Sequence, residues 1–477
     1  MVCAIFGALF VSTALTGEGV KGCKITKMAV IVLAAGKGTR MKSRQAKVLH
    51  PMAGLPMIAH TVNAVIRTGF ESIIVVVGYQ SEAVQMSLRG YPFLQFALQK
   101  EQRGTGDAVM SAMHLIGDDF EDVLILCGDT PLLRPDTILG LVEKHRRETG
   151  SVTILSARRP DPFGYGRVIT EGKNVLRIVE EADAGSEEKG VNLINSGIYC
   201  IRTDLIRELL GDLDMDNAQG EFYLTDVVEK AHKMGRPAIS MEVGDPEEIL
   251  GVNTRVDLAR AETSIRREKT RDLMLDGVTI QAPDSVVVDQ TVRVGADTVI
   301  YPNNYLLGGT TIGDGCTIEP NCFIVDSLIE DGVRVRCSSV IEESHLEKGC
   351  SIGPFAHLRP EAHIASCAKI GNFVEIKKSH IGEGSKVSHL TYIGDTDVGR
   401  DVNVGAGTIT CNYDGKKKHK TVIGDGSFIG SNTELVAPVK IGRKALIGAG
   451  STITKDVPDG YLAVGRARQK NLIKLNE

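Results

Sequence analysis

Leu33-Ala34-Ala35-Gly36-Lys37-Gly38-Thr39-Arg40-Met41, followed closely by Lys47-Val48-Leu49-His50-Pro51, decides how the first half of the chain folds. The apolar run Ala29 to Leu33 leads into it, so the order reads as a buried strand opening into a glycine loop and then a helix. Glycine lets backbone N–H groups crowd a polyanion, and a helix start adds a favourable dipole. Lys37, Arg40 and Lys47 bring three cations to one neighbourhood, which suits a triphosphate. A dinucleotide loop would need a third glycine and a later acid for the ribose. A P-loop would need Gly-Lys-Ser/Thr after four spacers. Neither pattern is present.

With Lys47 attached, the phrase resembles the signature of the sugar-1-phosphate nucleotidylyltransferases. The resemblance implies that Leu33, Ala34, Ala35, Gly36 and Lys47 line a nucleotide and that Arg40 and Lys47 are catalytic. Ala46 stands where many relatives carry Pro, and Cys127 where an aromatic is common; neither change removes a charge.

A chain of 477 residues is too long for one ordinary core, so two or three domains are expected. Net charge is −5 and the one basic block is Lys416-Lys417-Lys418-His419-Lys420, which argues against nucleic acid as a partner. The ten cysteines lack Cys-x-x-Cys or zinc spacing, so reduced thiols in a cytoplasmic protein fit best. Residues 1–27 read as a disordered or non-native extension before a domain that begins at Met28. The apolar Cys3 to Leu15 has no Lys or Arg before it and is too short to span a bilayer, so stable membrane insertion is not expected.

From 28 to 254 apolar runs alternate with helical patterns. Ile73 to Val77 and Val123 to Leu126 read as buried parallel strands, and Pro56 to Ile66 and Pro135 to Arg147 as helices. That is an α/β, Rossmann-like domain with a mostly parallel sheet, and ligands in such sheets sit at the carboxyl ends of strands. Gln99-Lys100-Glu101-Gln102-Arg103-Gly104-Thr105-Gly106 opens a second loop. The Gln99 amide can read a base edge, and the resemblance carries uracil contacts onto Gln99, Gly104 and Thr105. Asp129, in Leu126-Cys127-Gly128-Asp129, follows a buried strand and suits Mg²⁺, a hard cation taking one or two carboxylates plus phosphates. Gly251-Val252-Asn253 resembles the family segment that completes the metal site, which pairs Asp129 with Asn253. By the same resemblance the sugar side falls to Gly166, Glu180 and Asn195. Asn217-Ala218-Gln219-Gly220-Glu221-Phe222-Tyr223-Leu224-Thr225-Asp226 matches the branch acting on N-acetylglucosamine 1-phosphate.

Residues 255–276 read as one exposed spacer helix, about 30 Å long at about 1.5 Å per residue. From 277 to 477 aliphatic residues recur every six: Val288, Val294, Ile300, Leu306, Ile312, Ile318 and Ile324, and again Ile423, Ile429, Leu435, Ile441, Ile447 and Ile453. Neither a helix nor a flat sheet buries a period of six, but a coil of three short faces does. By resemblance to hexapeptide-repeat proteins this is a left-handed parallel β-helix. Thr408 to Thr421 reads as a loop leaving the coil, with the lysine cluster solvated.

Gly371-Asn372-Phe373-Val374-Glu375-Ile376-Lys377, Ser388-His389-Leu390-Thr391-Tyr392 and Asn412-Tyr413 resemble, with the first half, the bifunctional bacterial uridylyltransferase–acetyltransferases of UDP-N-acetylglucosamine synthesis. The resemblance covers nearly all of Met28 to Lys470. It implies His389 as base, Arg359 and Lys377 on a sugar phosphate, and Tyr392 and Asn403 orienting the sugar. Ala406, Asn412, Tyr413, Ser431, Ala449 and Arg466 would meet acetyl-CoA. It implies UTP and acetyl-CoA as co-substrates, a homotrimer, and a product feeding peptidoglycan and lipopolysaccharide precursors. The rivals are a single-activity nucleotidylyltransferase whose coil only assembles or regulates it, and a non-catalytic scaffold. His389 with Arg359 and Lys377 speaks against the first, and intact Arg40, Lys47, Asp129 and Asn253 against the second.

Overall fold

The computed structural model describes residues 27–148 and 151–472, so the expected extension lies, up to residue 26, outside the described residues. The chain divides into two compact units between Ser264 and Ile265, within one helix, Arg255–Leu275. Among the described residues no helix is long and apolar enough to cross a membrane.

The first unit is built on strands β1 (Met28–Ala34), β2 (Ser72–Val77), β3 (Gln95–Leu98), β4 (Asp122–Cys127), β5 (Val152–Arg158), β6 (Arg167–Glu171), β7 (Asn174–Val179), β8 (Leu193–Arg202) and β9 (Ala238–Glu242). They form one sheet in the order β3-β2-β1-β4-β8-β5-β9-β7-β6. The four strands β3 to β4 lie mutually parallel. Helices α1 (Met57–Arg67), α2 (Ser81–Ser87), α3 (Thr105–Ala112) and α4 (Pro135–Arg147) fall between or after them. These strands read as unbroken apolar runs because both faces are covered: Val30 and Val32 of β1 pack into one core, Ala29 and Ile31 into the other. Beyond β4 the sheet is mixed, since β8 runs antiparallel to β4 and β5, and β6 and β7 form a hairpin.

One local expectation changes. The glycine loop after β1 opens not into an α-helix but into a three-residue 3₁₀ turn, Thr39–Met41. Gly38 before it and Lys42 after it both adopt left-handed backbone, which prevents the turn from propagating. Cations, rather than a helix dipole, therefore make this loop attractive to anions.

The second unit is the left-handed parallel β-helix. Its aliphatic residues stack in three columns. One runs Ile280, Ile300, Ile318, Val335, Ile352, Ile370, Val387, Val404, Ile429 and Ile447. The second includes Val288, Leu306, Ile324, Ile341, Leu358, Ile376 and Ile393. The third includes Val294, Ile312, Ile329, Leu346, Ile364, Ile381, Val398, Ile423 and Ile441. The hexad pattern thus persists between Ile324 and Ile364. There it is carried by coils one residue shorter, which throw the six-residue count out of step. The loop between Cys411 and Thr421 leaves at the corner between the second and third columns.

From Ile300 onward, the corner between the first and second columns places the third residue after each aliphatic in left-handed backbone. Asn303, Asn321 and Asn432 occupy it in some coils, Gly407 and Gly450 in others, but Phe355, Phe373 and Leu390 in three. Substituting Ile370, fully buried in the ladder, by Ala should destabilise the coil by about 2–5 kcal/mol. Lys369→Ala, on the exposed flank, should cost about 0.5 kcal/mol or less. Urea unfolding followed by circular dichroism compares them, and equal losses would remove the ladder as the source of coil stability.

Candidate functional site

The first unit holds a cavity of about 270 Å³ at the carboxyl ends of β1 and β4. Leu33, Ala34, Ala35, Gly36, Lys47, Gln99, Gly104, Thr105, Cys127 and Asp129 all line it. The close approach of the loop has a steric cause. Gly38 sits at φ 69°, and a Cβ there would stand 2.5 Å from Lys47 Cβ. Gly128 N–H donates to the Leu33 carbonyl at 2.8 Å, tying the ends of β1 and β4 together.

Lys47, Asp129, Asn253 and Arg40 converge. The Lys47 ammonium donates to the Asp129 carboxylate and, at 3.0 Å, to Asn253 Oδ1. Arg40 Nη2 donates to the same Asn253 oxygen at 2.9 Å. Asp129 and Asn253 therefore present oxygens to one point, and the cation bridging them is the lysine. Two hard oxygen donors facing a shared positive group are the donor chemistry Mg²⁺ uses when substrate phosphates supply the remaining ligands. The residues present fit that ion. His50 is buried behind this cluster. Its Nδ1 lies 3.2 Å from Arg255 Nη1, two residues beyond Asn253, and burial together with the Arg255 charge lowers its pKa.

The second loop docks through its backbone. Phe222 N–H donates to the Arg103 carbonyl and Gly106 N–H to the Phe222 carbonyl, both at 2.8 Å. Gly104, at φ 108°, has no room for a Cβ against the Phe222 carbonyl. The Thr105 hydroxyl accepts from Leu224 N–H at 3.1 Å, so it fastens the 217–226 phrase as well as facing the cavity.

On the far side Gly166, Glu180 and Asn195 come together: a Cβ on Gly166 would lie 3.4 Å from Glu180 Oε2 and 3.5 Å from Asn195 Cβ. Burial pushes the Glu180 carboxyl up from its usual range. The Asn195 amide is largely engaged, donating to the Tyr199 hydroxyl at 2.7 Å and accepting from Gly197 N–H at 3.1 Å.

In the second unit the coil register assembles the other set. Two residues after the first-column aliphatic, successive coils carry Asn372, His389, Ala406, Ser431 and Ala449 in one line. Arg466 reaches that line, Nη1 donating to the Ala449 carbonyl at 2.5 Å. His389 is exposed, and its Nδ1 meets Asn372 Oδ1. An amide oxygen only accepts, so Nδ1 carries the proton and Nε2 keeps a lone pair. Asn372 was not singled out from the sequence; its position 17 residues before His389, one coil, is the signal that could have found it.

On the next face Arg359 Nη1 pairs with Glu375 at 2.8 Å, and Lys377 follows one coil on. The Lys418 ammonium lies against Lys377 and, with Arg359, lowers its pKa. The lysine cluster is exposed as expected, yet Lys418 is not merely solvated: it lies against Lys377 and adds its charge to that of Arg359 there. Asn412 donates to Asp395 at 2.5 Å and stands 3.5 Å from the Tyr392 hydroxyl. A Cβ on Gly394 would fill the gap beside both. Tyr413 is exposed. Asn403 is not brought to Tyr392; it pairs with Lys386 and Phe428 on the first-column face.

Comparison with known proteins adds the lineage. The family profile described as MobA-like NTP transferase domain matches residues 30–194. The profile described as bacterial transferase hexapeptide (six repeats) matches 291–325 and 420–455. The bifunctional protein GlmU of Pelobacter propionicus is 51% identical over 445 residues, covering 93% of this chain and 97% of that protein. The GlmU of Carboxydothermus hydrogenoformans is 49% identical over 445 residues, 93% of this chain and 99% of its own. That of Geotalea uraniireducens is 47% identical over 448 residues, 94% and 98%.

Gly38→Ala is expected to push Lys47 away from Asp129 and Asn253. Isothermal titration with a nucleoside triphosphate should then show at least tenfold weaker binding in a folded protein; unchanged affinity would detach Lys47 from the phosphate site.

Proposed function

This chain belongs to the family of bifunctional GlmU proteins, and we propose that two separable group transfers reside in its two halves. It is an enzyme of UDP-N-acetylglucosamine synthesis: glucosamine 1-phosphate is N-acetylated from acetyl-CoA, and the product is uridylylated from UTP. We assign the second transfer to residues 28–254, the first to 277–477, and the linking role to 255–276. Both co-substrates are cytoplasmic metabolites, and the cytoplasm is the proposed location.

In uridylyl transfer a sugar-phosphate oxygen attacks the α-phosphorus of UTP, the bond to the bridging oxygen breaks, and pyrophosphate leaves. No covalent enzyme intermediate is needed, so positioning and charge neutralisation carry the catalysis. Asp129 and Asn253 would hold Mg²⁺, which when bound neutralises phosphate charge. Arg40 and Lys47 add fixed positive charge beside that point. The single observation carrying this reading is the convergence of Lys47, Asp129 and Asn253 at the cavity edge.

In acetyl transfer the amine nitrogen attacks the thioester carbonyl, the C–S bond breaks and CoA thiol leaves. The amine must lose a proton, and His389 Nε2 has the free lone pair to take it, worth about 10²–10⁴ in rate. Asn372 holds the imidazole in that tautomer. Arg359, Lys377 and Lys418 supply charge for the sugar phosphate. The exposed apolar corner supports a homotrimer around the coil: Phe355 and Phe373 stack at 5.3 Å and remain uncovered, as does Leu390 beside His389.

Incubating the protein with glucosamine 1-phosphate, acetyl-CoA, UTP and Mg²⁺ should yield UDP-N-acetylglucosamine, pyrophosphate and CoA. Asp129→Ala should lower uridylyl transfer at least a hundredfold and leave acetyl transfer within twofold, and His389→Ala should do the reverse. Loss of both activities in either folded variant would sink the assignment of two independent sites.

A further inference from the structure

A glutamine amide can read a base in two ways, offering its oxygen to a donor or its NH₂ to an acceptor. At Gln99 one of these is already committed. The side chain is 3% exposed and lines the nucleotide cavity. Its Nε2 donates to Asp107 Oδ2 at 2.8 Å and to the Gly104 carbonyl at 3.1 Å. A carboxylate and a carbonyl can only accept, so both amide hydrogens are spent and Oε1 is the end left for a ligand. Asp107 is itself fixed: it is 6% exposed, lies in the first turn of α3, and accepts from Arg103 Nη2 at 2.7 Å.

We propose that Asp107 is a specificity-determining positioning residue that sets the base preference of the nucleotide site by fixing the orientation of the Gln99 amide. With Oε1 presented, the site accepts an imide N–H, the edge shared by uracil and thymine. Cytosine offers a bare ring nitrogen there, so two acceptors would face each other unpaired. Without the Asp107 carboxylate only the 3.1 Å bond to the Gly104 carbonyl still holds the amide, and turning it to donate to that nitrogen becomes far less costly. The inference rests on the reading that Gln99 meets the base.

The test is kcat/KM for UTP and for CTP, with N-acetylglucosamine 1-phosphate and Mg²⁺, followed by pyrophosphate release from the full chain. Asp107→Asn keeps the side-chain volume and guards against a folding loss in Asp107→Ala. Both should lower the UTP:CTP ratio about tenfold or more, chiefly through KM, with CTP turnover rising above that of the unmodified protein. A purely structural loss would lower both nucleotides alike. An unchanged ratio in both Asp107 variants, with Gln99→Ala lowering it, would overturn the proposal and leave Gln99 at the base. An unchanged ratio in Gln99→Ala would remove Gln99 from the base and the proposal with it.

Discussion

Nearly every coil of the second unit buries one aliphatic side chain on each face, Thr410 being an exception in the second column, and that constraint sets where chemistry can stand. Because Ile370, Val387, Val404, Ile429 and Ile447 must stack, whatever lies two residues after each must stack as well. Asn372, His389, Ala406, Ser431 and Ala449 share a line for this reason and no other. The same register lays Lys377 over Arg359. A hydrogen bond such as Asn372–His389 then needs no special loop, since adjacent strands lie about 4.8 Å apart and equivalent side chains meet across one coil.

The first unit solves the same problem differently. Its parallel strands end together, so the residues just beyond β1 and β4 face one crevice. The side chains there are held before any ligand arrives. Asn195 is fastened to Tyr199 and Gly197, Thr105 to Leu224, and Gln99 to Asp107 and Gly104. Such prior engagement narrows what each amide can still do, and it lowers the ordering cost of binding.

Much of this was legible in the sequence because it is periodic or local. The hexads gave the columns, and the phrases around Lys47, Asp129 and Asn253 brought those residues to one cavity edge. What escaped depends on distances that no local pattern encodes. The single-residue shortening of coils between Ile324 and Ile364 breaks the count of six while preserving the ladder. Asn372 becomes visible only when two coils are set in register. Lys418 lies in a solvated run, and only the path of the 412–420 loop brings it to Lys377. The helix expected after Gly38 fails because Gly38 and Lys42 both take left-handed backbone, a tertiary demand made by the packing of Lys47 against the loop.

The left-handed corner of the coil shows where fold and function pull apart. Asn303, Asn321, Asn432, Gly407 and Gly450 sit there with side chains that tolerate the conformation. Phe355, Phe373 and Leu390 sit there at φ 54°, 56° and 49°, where large side chains are strained by about 1–3 kcal/mol each. They also remain exposed, Leu390 at 63%. Coil stability alone would favour Asn or Gly at all three. Fully covering a Phe or Leu side chain is worth about 1.5–3 kcal/mol, comparable to the strain at each position. The homotrimer proposed above would cover these side chains and offset what the isolated coil cannot. The three coils that carry this cost are the ones that hold Asn372 and His389 and the coil just before them, so the strained, exposed apolar corner lies beside that pair.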